Sequence, residues 1–474
     1  MSPLQSSEIA ALLHGELHGT DTLISSVSTD SRNLRAGDLF IALHGPNFDG
    51  HDYLAAARER GAAAALVSRL QDDALPQIVV ADTRLALGRL ASACRAELAI
   101  PVLAVTGSNG KTTVKEMLAA ILARRGGVLA TRGNLNNDIG VPLTLLRLRP
   151  EHRYAVIEMG ANHPGEIAYV AGLTAPTVAV VTNAGPAHLE GFGSLEGVAR
   201  AKGEIYQNLA AGGVAVINAD DTYAGLWREL AADHHQVSFG LRADADVSTP
   251  ADSIQLHMNN SSCIMHFVMR TPDGELELAL PLPGRHNVMN ALAASAAALA
   301  AGAHLDDIKE GLEAMTAVAG RLHMRIGLRG AHVLDDTYNA NPASLQAGLE
   351  VLAACAGEKW LVLGDMGELG SDTAGLHVRA GEQARAAGID RLFAIGEQSR
   401  GAARAFGAAQ HFDTAEALIA ALRGELHAGV SVLVKGSRFM HMERVVEALL
   451  NGGNGGHSAA TSEPRVPNSE TGVA

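Results

Sequence analysis

Short apolar runs recur along the chain, and most of them end at a glycine or at a polar residue. Three examples are PVLAVTG at 101–107, YAVIEMG at 154–160 and TVAVVTN at 177–183. Alanine- and leucine-rich stretches of helical length, such as VKEMLAAILARR at 114–125, separate these runs. Strands that are apolar throughout are typical of parallel sheets that helices cover on both faces. The alternation therefore predicts an α/β fold with mostly parallel sheets.

Changes in this pattern predict three domains and a tail. Residues 1–82 carry short strand candidates and a turn-rich segment, which predicts a small α/β domain. The repeated strands and helices then predict a central P-loop ATPase-like domain over 83–319, with a mostly parallel sheet, and a Rossmann-like domain over 320–451. Residues 452–474 contain almost no large apolar side chain, so they are predicted to be disordered.

Composition and charge argue against a membrane-spanning protein and against a protein that binds nucleic acid through a broad basic surface. The chain has 474 residues, of which 47% are hydrophobic and 19% are charged, and no apolar run approaches the roughly 18 to 20 residues of a membrane span. A formal net charge of -14 argues against broad binding to nucleic acid or anionic lipid. The first residues, MSPLQSSEIA, contain neither a basic leader nor an apolar core, and the three cysteines show no C-x-x-C spacing. We expect a cytoplasmic monomer without a membrane span.

The segment TGSNGKTT at 106–113 follows one apolar run directly and precedes helix-forming residues. A glycine-rich turn leaves backbone N–H groups free to surround phosphate oxygens, and Lys111 adds a mobile charge. Thr112 can place a hydroxyl on Mg²⁺. The strict G-x-x-x-x-G-K-[ST] pattern fails because Val105 lies six residues before Lys111, and an ordinary strand-to-helix turn is the alternative. The predicted phosphate-binding residues are Gly107, Ser108, Asn109, Gly110, Lys111, Thr112 and Thr113.

Polar residues follow the next two predicted strands. Glu158 and His188 lie at the carboxyl ends of these strands, where open parallel sheets bind ligands, and both could coordinate Mg²⁺. Taken alone, Glu158 also fits a helix cap or a surface charge, and most histidines have no metal role. Lys202 lies in a predicted helix, and the residues alone favour a solvated surface lysine.

Two later clusters carry polar groups at predicted helix starts. Asn287 and Asn290 share one helix face and could cap the helix or contact a base edge. Asp336 follows a strand, where its carboxylate suits a ribose hydroxyl, an ammonium group or a solvated loop. No G-x-S-x-G, H-E-x-x-H or G-x-G-x-x-G pattern occurs. The residues alone indicate a multidomain α/β enzyme that uses a nucleoside triphosphate.

An ordered set of segments resembles the Mur ligase family of peptidoglycan synthesis. The set is TGSNGKTTVKE, GNLNNDIGVP, EMGANHPGEI, TNAGPAHLEGFGS, AKGEIY, GRHNVMNA, GRL and DDTYNANPAS, and the match spans residue 28 to about residue 445. The segment DSRNLRAGDLFIALHGPNFDGHDY resembles the amino-terminal domain that holds the UDP-sugar. Ser108, DDTYNANP and LGDMGELG at 363–370 resemble the branch of the family that adds D-alanyl-D-alanine.

The resemblance implies an ATP-dependent ligase with Mg²⁺ that works through an acyl phosphate. ATP would phosphorylate the terminal carboxylate of UDP-N-acetylmuramoyl-tripeptide, and the amine of D-alanyl-D-alanine would then attack to give the pentapeptide. Three alternatives stay open: the family member that adds the third amino acid, folylpolyglutamate synthetase, and a nucleotide-dependent switch protein that joins nothing. DDTYNANP weighs against the first two.

The resemblance also implies roles for residues near the phosphate loop. Thr112, Glu158 and His188 would hold Mg²⁺. Lys202 matches a lysine that is carbamylated in the family and so becomes a metal-binding carboxylate. Arg321 matches an arginine that contacts phosphate near the domain junction. The implied catalytic residues are Lys111, Glu158, His188, Lys202 and Arg321.

Further positions match the family's substrate-binding segments. Asn287 and Asn290 match the adenine segment, and Asp336 matches an acid near the ribose. Asn137 resembles a position near the reacting phosphate and substrate. The carboxyl-terminal domain swings in this family, so Arg321 and Asp336 would complete the ATP site on closure. The residues implied at the UDP-sugar are Asp30, Ser31 and Arg32.

Overall fold

The fold is built on three larger sheets with helices packed against them. It is known from a computed structural model, which describes residues 1–186, 189–241, 244–258 and 263–450. All three sheets are wholly or mostly parallel, which confirms the predicted α/β class. The predicted disordered tail, 452–474, lies outside the described residues.

The first sheet belongs to the amino-terminal part of the chain. Its strands and the short strands beside it are β1 (Leu4–Gln5), β2 (Glu16–His18), β3 (Leu23–Ile24), β4 (Ser26–Ser28), β5 (Asp38–Ile41), β6 (His44–Gly45), β7 (Phe48–Asp49), β8 (Ala64–Val67) and β9 (Gln77–Val79). The helices are α1 (Ser6–Leu13), α2 (Leu54–Glu59) and α3 (Thr83–Ala96). Five strands pair in the order β2-β9-β8-β5-β4, and only β2 is antiparallel to its neighbour.

Helix α3 connects this sheet to the next one. Asp82 is its N-cap and accepts hydrogen bonds from the backbone N–H groups of Arg84 and Leu85. Leu87 and Leu90 are fully buried in an apolar cluster that reaches both the first sheet and the central one. The predicted bound at residue 82 coincides with the start of this helix, although the domain limits themselves stay predictions.

The central sheet is wholly parallel. Strands of this region are β10 (Val102–Thr106), β11 (Gly127–Ala130), β12 (His152–Glu158), β13 (Val178–Val181), β14 (Val214–Asn218), β15 (His235–Phe239), β16 (Gln255–Met258), β17 (Cys263–Thr271) and β18 (Gly274–Leu280). Helices are α4 (Lys111–Leu122), α5 (Gly140–Leu145), α6 (Glu166–Thr174), α7 (Leu189–Phe192), α8 (Leu195–Gly203), α9 (Ala224–Leu230), α10 (Arg285–Ala300) and α11 (Leu305–Glu313). The order β11-β12-β10-β13-β14-β15 places β10 between β12 and β13. The carboxyl ends of these three strands therefore meet at one edge.

Strands β16, β17 and β18 form a separate antiparallel sheet beside the central one. Val114, Leu118 and Ile121 on α4 are fully buried together with apolar residues of α10 and of β10. A helix that is buried along one face has little freedom to shift. This packing therefore fixes the start of α4 at the edge where the three parallel strands end.

The third sheet lies in the carboxyl-terminal part. Its strands are β19 (His323–Ile326), β20 (His332–Asp336), β21 (Glu358–Gly364), β22 (Arg391–Ile395), β23 (Gln410–Phe412) and β24 (Val430–Lys435). The helices are α12 (Pro342–Ala354), α13 (Thr373–Ala386), α14 (Ser399–Phe406), α15 (Ala415–Glu425) and α16 (Glu443–Leu450). The order is β19-β20-β24-β21-β22-β23, and β19 alone is antiparallel. Among the described helices, none combines the length and apolar composition that crossing a membrane requires.

Candidate active site

The predicted phosphate loop connects β10 to α4, and two of its glycines have left-handed backbones. Gly107 has φ +143°, and a Cβ there would lie 2.0 Å from Thr182 Oγ1. Gly110 has φ +84°, and a Cβ there would lie 2.4 Å from Asn290 Oδ1. Both the backbone and the available space therefore require glycine. The loop opens into the amino-terminal end of a twelve-residue helix, which favours anions.

The end of β13 holds this loop in place. Thr182 Oγ1 donates to the Asn109 carbonyl at 2.6 Å, and Asn183 Oδ1 accepts from Asn109 N–H at 3.0 Å. The hydroxyl of Ser108 bonds to the N–H and the carbonyl of Gly185 at 2.9 and 3.1 Å. The residues after β13 are thus part of the site, and only the letters TNAG after the apolar run hinted at this in the sequence.

Lys111 folds back over the loop that precedes it. Its Nζ donates to the Gly107 carbonyl at 2.7 Å. Burial lowers the pKa of Lys111, the nearby Arg321 guanidinium lowers it further, and Glu158 opposes both effects. The hydrogen bond to Gly107 holds the Lys111 amine beside the loop, where phosphate oxygens would bind.

Glu158, at the end of β12, is buried beside the phosphate loop. Its Oε2 accepts from Thr112 Oγ1 at 3.0 Å, and its Oε1 accepts from Asn136 Nδ2 at 2.9 Å. Its backbone N–H donates to Thr131 Oγ1 at 2.9 Å. Glu158 is therefore neither a helix cap nor a surface charge. A carboxylate and a hydroxyl side by side are oxygen ligands of the kind that Mg²⁺ prefers. Sequence reasoning had not singled out Asn136, although it lies in GNLNNDIG.

Lys202, on α8, is also buried, with 2% of the residue exposed. Its Nζ lies 3.4 Å from the Ala161 carbonyl and 5.3 Å from the centre of the Phe192 ring. Burial, with a smaller contribution from Lys111, lowers the pKa of Lys202 to about 7. The surface role that the residues alone favoured is therefore wrong, because contacts from distant parts of the chain cover this side chain.

Arg321 brings the carboxyl-terminal part to the phosphate loop. Its Nη2 lies 3.4 Å from Thr112 Oγ1, and its guanidinium lies 4.2 Å from the centre of the Tyr338 ring. Its Nε is buried and has no hydrogen-bond partner within the described part of the chain. Asn341, the N-cap of α12, donates from Nδ2 to Asn109 Oδ1 at 2.8 Å. Two side chains of the third sheet region therefore contact the loop directly.

Asp336 is buried at the end of β20 and forms an ion pair with Lys435 at the end of β24. Lys435 Nζ also donates to the Asn339 carbonyl at 3.0 Å. The solvated-loop alternative for Asp336 is wrong. Lys435 was missed by sequence reasoning, although it is one of only six lysines and directly follows an apolar run.

Asn287 and Asn290 lie near the start of α10 and are buried. Asn290 Nδ2 donates to Asn287 Oδ1 at 3.1 Å, and Asn287 Nδ2 donates to the Pro283 carbonyl at 2.7 Å. Gly284 is the N-cap, without a side-chain cap, so the capping alternative is wrong. The Asn290 amide instead packs against Gly110. Contact of either residue with adenine stays a prediction.

Most predicted site residues line one cavity of about 290 Å³. Those at its wall are Ser108, Asn109, Gly110, Lys111, Thr112, Asn137, Glu158, Lys202, Arg321 and Asp336. Gly107, Thr113, Asn287 and Asn290 are not among the residues that line it. His188 lies outside the described residues. Among the described residues, no group of three or more His, Cys, Asp and Glu side chains is placed to hold a metal.

Asp30, Ser31 and Arg32 do not line this cavity. Ser31 and Arg32 begin a short 3-10 helix, and the Asp30 carboxylate accepts from Arg32 N–H and Nε, both at 2.9 Å. This bonding lowers the pKa of Asp30. A UDP-sugar site here stays a prediction.

Asn137 does line the cavity, and its Oδ1 accepts from Gly140 N–H at 2.8 Å.

Three family models together match most of the chain. The "Mur ligase family, catalytic domain" model matches residues 23–95, the "Mur ligase middle domain" model matches 105–298, and the "Mur ligase, glutamate ligase domain" model matches 320–438. The first gap between the matched ranges runs from the last residue of α3 into β10, and the second runs from the end of α10 to beyond α11.

Relatives match over nearly their whole length. The UDP-N-acetylmuramoyl-tripeptide--D-alanyl-D-alanine ligase of Escherichia coli is 48% identical over 94% of this chain and 98% of its own. The crystal structure of MurF from Acinetobacter baumannii is 41% identical over 95% and 99% of the two chains, with a TM-score of 0.89. That of MurF ligase from Thermotoga maritima in complex with ADP is 29% identical over 90% and 96%, with a TM-score of 0.79. The phosphate loop, the buried Glu158 and the matched ranges lead to one conclusion: this chain belongs to the Mur ligase family.

Proposed function

We propose that this chain is an ATP-dependent amide ligase that joins D-alanyl-D-alanine to UDP-N-acetylmuramoyl-tripeptide and so makes UDP-N-acetylmuramoyl-pentapeptide for peptidoglycan. The observation that carries the proposal is the cavity in which a phosphate loop, a buried carboxylate and a buried lysine face residues of the third sheet region. A protein that only binds and hydrolyses a nucleotide as a switch does not need residues of the third sheet region opposite the phosphate loop. The 48% identity to a relative with this activity, over nearly both chains, supports the choice of substrates.

The first step is transfer of the terminal phosphate of ATP to the carboxylate of the UDP-linked tripeptide. A carboxylate is a poor electrophile because oxide would have to leave, and phosphorylation supplies a better leaving group. Phosphate and carboxylate are both anions, so their approach needs nearby positive charge. Lys111 at the loop and Arg321 across it provide that charge, and backbone N–H groups of the loop bind the phosphate oxygens.

The second step is attack of the dipeptide amine on the acyl phosphate. A C–N bond forms, the C–O bond to phosphate breaks, and inorganic phosphate leaves. Asn136 and Thr112 orient Glu158 throughout, so the charged groups keep their positions while the substrates react.

The oxygen donors at the loop fit Mg²⁺. Thr112, Glu158, His188 and a carbamylated Lys202 would hold Mg²⁺. When bound, Mg²⁺ offsets the negative charge of the phosphates. Lys202 needs a carboxylate to act as a ligand, and a lysine with a pKa of about 7 is partly neutral near pH 7 and can react with carbon dioxide to form a carbamate. Its amine attacks carbon and releases a proton.

The remaining family assignments are part of the same proposal. Asn287 and Asn290 bind adenine, Asp336 lies at the ribose, and Asn137 lies near the reacting carboxylate. The UDP-sugar is bound by Asp30, Ser31 and Arg32. We also propose that the chain acts as a monomer in the cytoplasm.

Phosphate release from ATP tests the function directly. The purified chain is incubated with Mg²⁺ and UDP-N-acetylmuramoyl-tripeptide, with and without D-alanyl-D-alanine, and with single amino acids as controls. We expect release that needs both substrates, together with the pentapeptide mass. Release with a single amino acid would favour the ligase for the third residue, and release without either substrate would favour a switch protein.

A further inference from the structure

Tyr338 lines the cavity but has no role in the reaction described so far. It lies in the segment DDTYNANP and is half-buried. The Arg321 guanidinium lies 4.2 Å from the centre of its ring, within the range of a cation–π contact. Arg438 is farther from the same ring, at 5.9 Å, and its Nη1 lies 3.6 Å from a Glu443 carboxylate oxygen. Arg321 is therefore the cation that this ring contacts more closely.

The side chain of Arg321 is not held by a carboxylate. Within the described residues its guanidinium forms no ion pair, and its one hydrogen bond there is the contact of 3.4 Å to Thr112 Oγ1. A carboxylate that holds an arginine occupies part of the N–H fork. The face of an aromatic ring attracts the charge without accepting a conventional hydrogen bond. The ring of Tyr338 therefore leaves the N–H groups of Arg321 available to a phosphate.

Tyr338 also contacts the backbone of the segment that carries Arg321. Gly320 has φ +70° and Leu322 has φ +51°, so residues with left-handed backbones flank Arg321 on both sides. The Tyr338 N–H donates to the Gly320 carbonyl at 3.2 Å, and a Cβ at Gly320 would lie 3.0 Å from the Tyr338 nitrogen. A leucine rarely adopts such a conformation, which persists where the surrounding structure imposes it. Both the side chain and the backbone of this segment are thus fitted to Tyr338.

We propose that Tyr338 is a positioning residue, whose ring holds the Arg321 guanidinium beside Thr112 so that its N–H groups meet the phosphate during transfer. The inference rests on the proposed function, because it needs transfer of a phosphate to the carboxylate of the substrate. Charge on the transferred phosphate is spread over its oxygens, and an arginine of fixed direction stabilises that charge better than a mobile one. Tyr338 acts only through Arg321.

Two substitutions at Tyr338 test whether the ring is the active part. Tyr338→Leu removes the ring, so we expect kcat to fall at least about 10-fold, with KM for ATP and for the UDP-linked tripeptide within about threefold of the wild type. Tyr338→Phe keeps the ring and should bring kcat back to within about threefold of the wild type. Tyr154→Leu is the matched control, because Tyr154 accepts from Arg125 Nε at 3.2 Å but does not line the cavity. Its kcat should equal that of the wild type.

A double-mutant cycle with Arg321→Ala tests whether Tyr338 acts through Arg321. Radiolabelled ATP makes the slow turnover of these variants measurable. In the Arg321→Ala background, Tyr338→Leu should lower kcat by less than about twofold, because the group that the ring positions is already absent. The same fold-loss in both backgrounds would overturn the proposal, since the ring would then act through folding or through another contact.

The remaining outcomes separate this inference from the function itself. Wild-type kcat in Tyr338→Leu would overturn the role of the ring, as would equal losses in Tyr338→Phe and Tyr338→Leu, which would assign the effect to the hydroxyl. A higher KM for ATP with unchanged kcat would also overturn it, because the ring would then act on the binding of ATP alone. If the wild type releases no phosphate with both substrates present, the proposed function itself fails.

Discussion

Lys202 illustrates how much the surroundings of a single residue determine its chemistry. Its position in the sequence fits a surface lysine, yet packing against Phe192 and Ala161 removes it from water and lowers its pKa to about 7. Phe192 and Ala161 are not sequence neighbours of Lys202, so the local sequence could not show that this side chain is buried. The resemblance to the family predicts a metal-binding role for Lys202, whereas the local pattern predicted a surface side chain.

Replacing Lys202 should remove most of the activity. We expect Lys202→Ala to lower kcat at least about 100-fold, because the proposed carbamate and its contribution to metal binding are lost. Short carboxylic acids added to the assay should restore part of the rate by occupying the space left by the side chain. Lys309→Ala, at a half-exposed lysine on α11, is the control. Full activity of Lys202→Ala would exclude Lys202 from the mechanism.

The three cysteines should be unreactive in the folded chain. Cys94, Cys263 and Cys355 are buried, and burial raises the pKa of each thiol, to about 11 for Cys94 and about 12 for Cys263. Only the thiolate reacts quickly, so at pH 8 a thiol reagent should modify the native chain slowly. In denaturant all three thiols should react at once. A thiol that is modified rapidly in the native chain would contradict this burial.

Among the elements, the parallel strands of the central sheet were the easiest to predict. The apolar runs PVLAVTG and TVAVVTN correspond to β10 and β13, and the helical stretch VKEMLAAILARR overlaps α4. The pattern could not show that β10 lies between β12 and β13, because strand order depends on pairing between distant segments. That order brings Glu158 next to Thr112.

The end of β12 depends on a chain of buried polar contacts. Lys115 Nζ donates to the Thr131 carbonyl at 2.8 Å, and Thr131 Oγ1 accepts the Glu158 N–H. Sequence reasoning did not identify Thr131, because a threonine after a short strand has no distinctive pattern. Lys115 lies one helical turn after Lys111, so α4 both supplies the phosphate loop lysine and supports the neighbouring strand.

Thr131→Val should disturb both stability and metal-nucleotide binding. The substitution leaves the buried Glu158 N–H without an acceptor, which costs about 1–3 kcal/mol of the free energy of unfolding. We also expect weaker binding of Mg²⁺ and ATP in calorimetry. Thr174→Val is the matched control, because the Thr174 hydroxyl donates only to a helix carbonyl. Equal effects of the two substitutions would argue against a positioning role for Thr131.

At the scale of the whole molecule, the carboxyl-terminal part completes the cavity. Asn341 and Arg321 contact the phosphate loop, and Asp336 and Lys435 lie on the same wall. The sequence could indicate a strand end at Asp336 and a helix start at Asn341, but their approach to Asn109 depends on how two sheets are placed. Such placement leaves no periodic signal along the chain.

Substrates should draw the carboxyl-terminal part closer to the central sheet. Among the described residues, hydrogen bonds of 2.8 and 3.4 Å join this part to the loop, and ligands bound in the cavity would add contacts between the two parts. We expect a smaller radius of gyration by small-angle scattering when an ATP analogue and the UDP-linked tripeptide are both present. Scattering profiles identical to those of the free chain would rule out such closure.

The late position of Arg321, Asn341 and Lys435 in the chain has a consequence during protein synthesis. A ribosome completes the phosphate loop before any of these three residues has been added. An unfinished chain that ends before residue 320 therefore contains the loop without its opposite wall. Chains that terminate early are therefore expected to be unable to transfer the phosphate of ATP, because they lack Arg321.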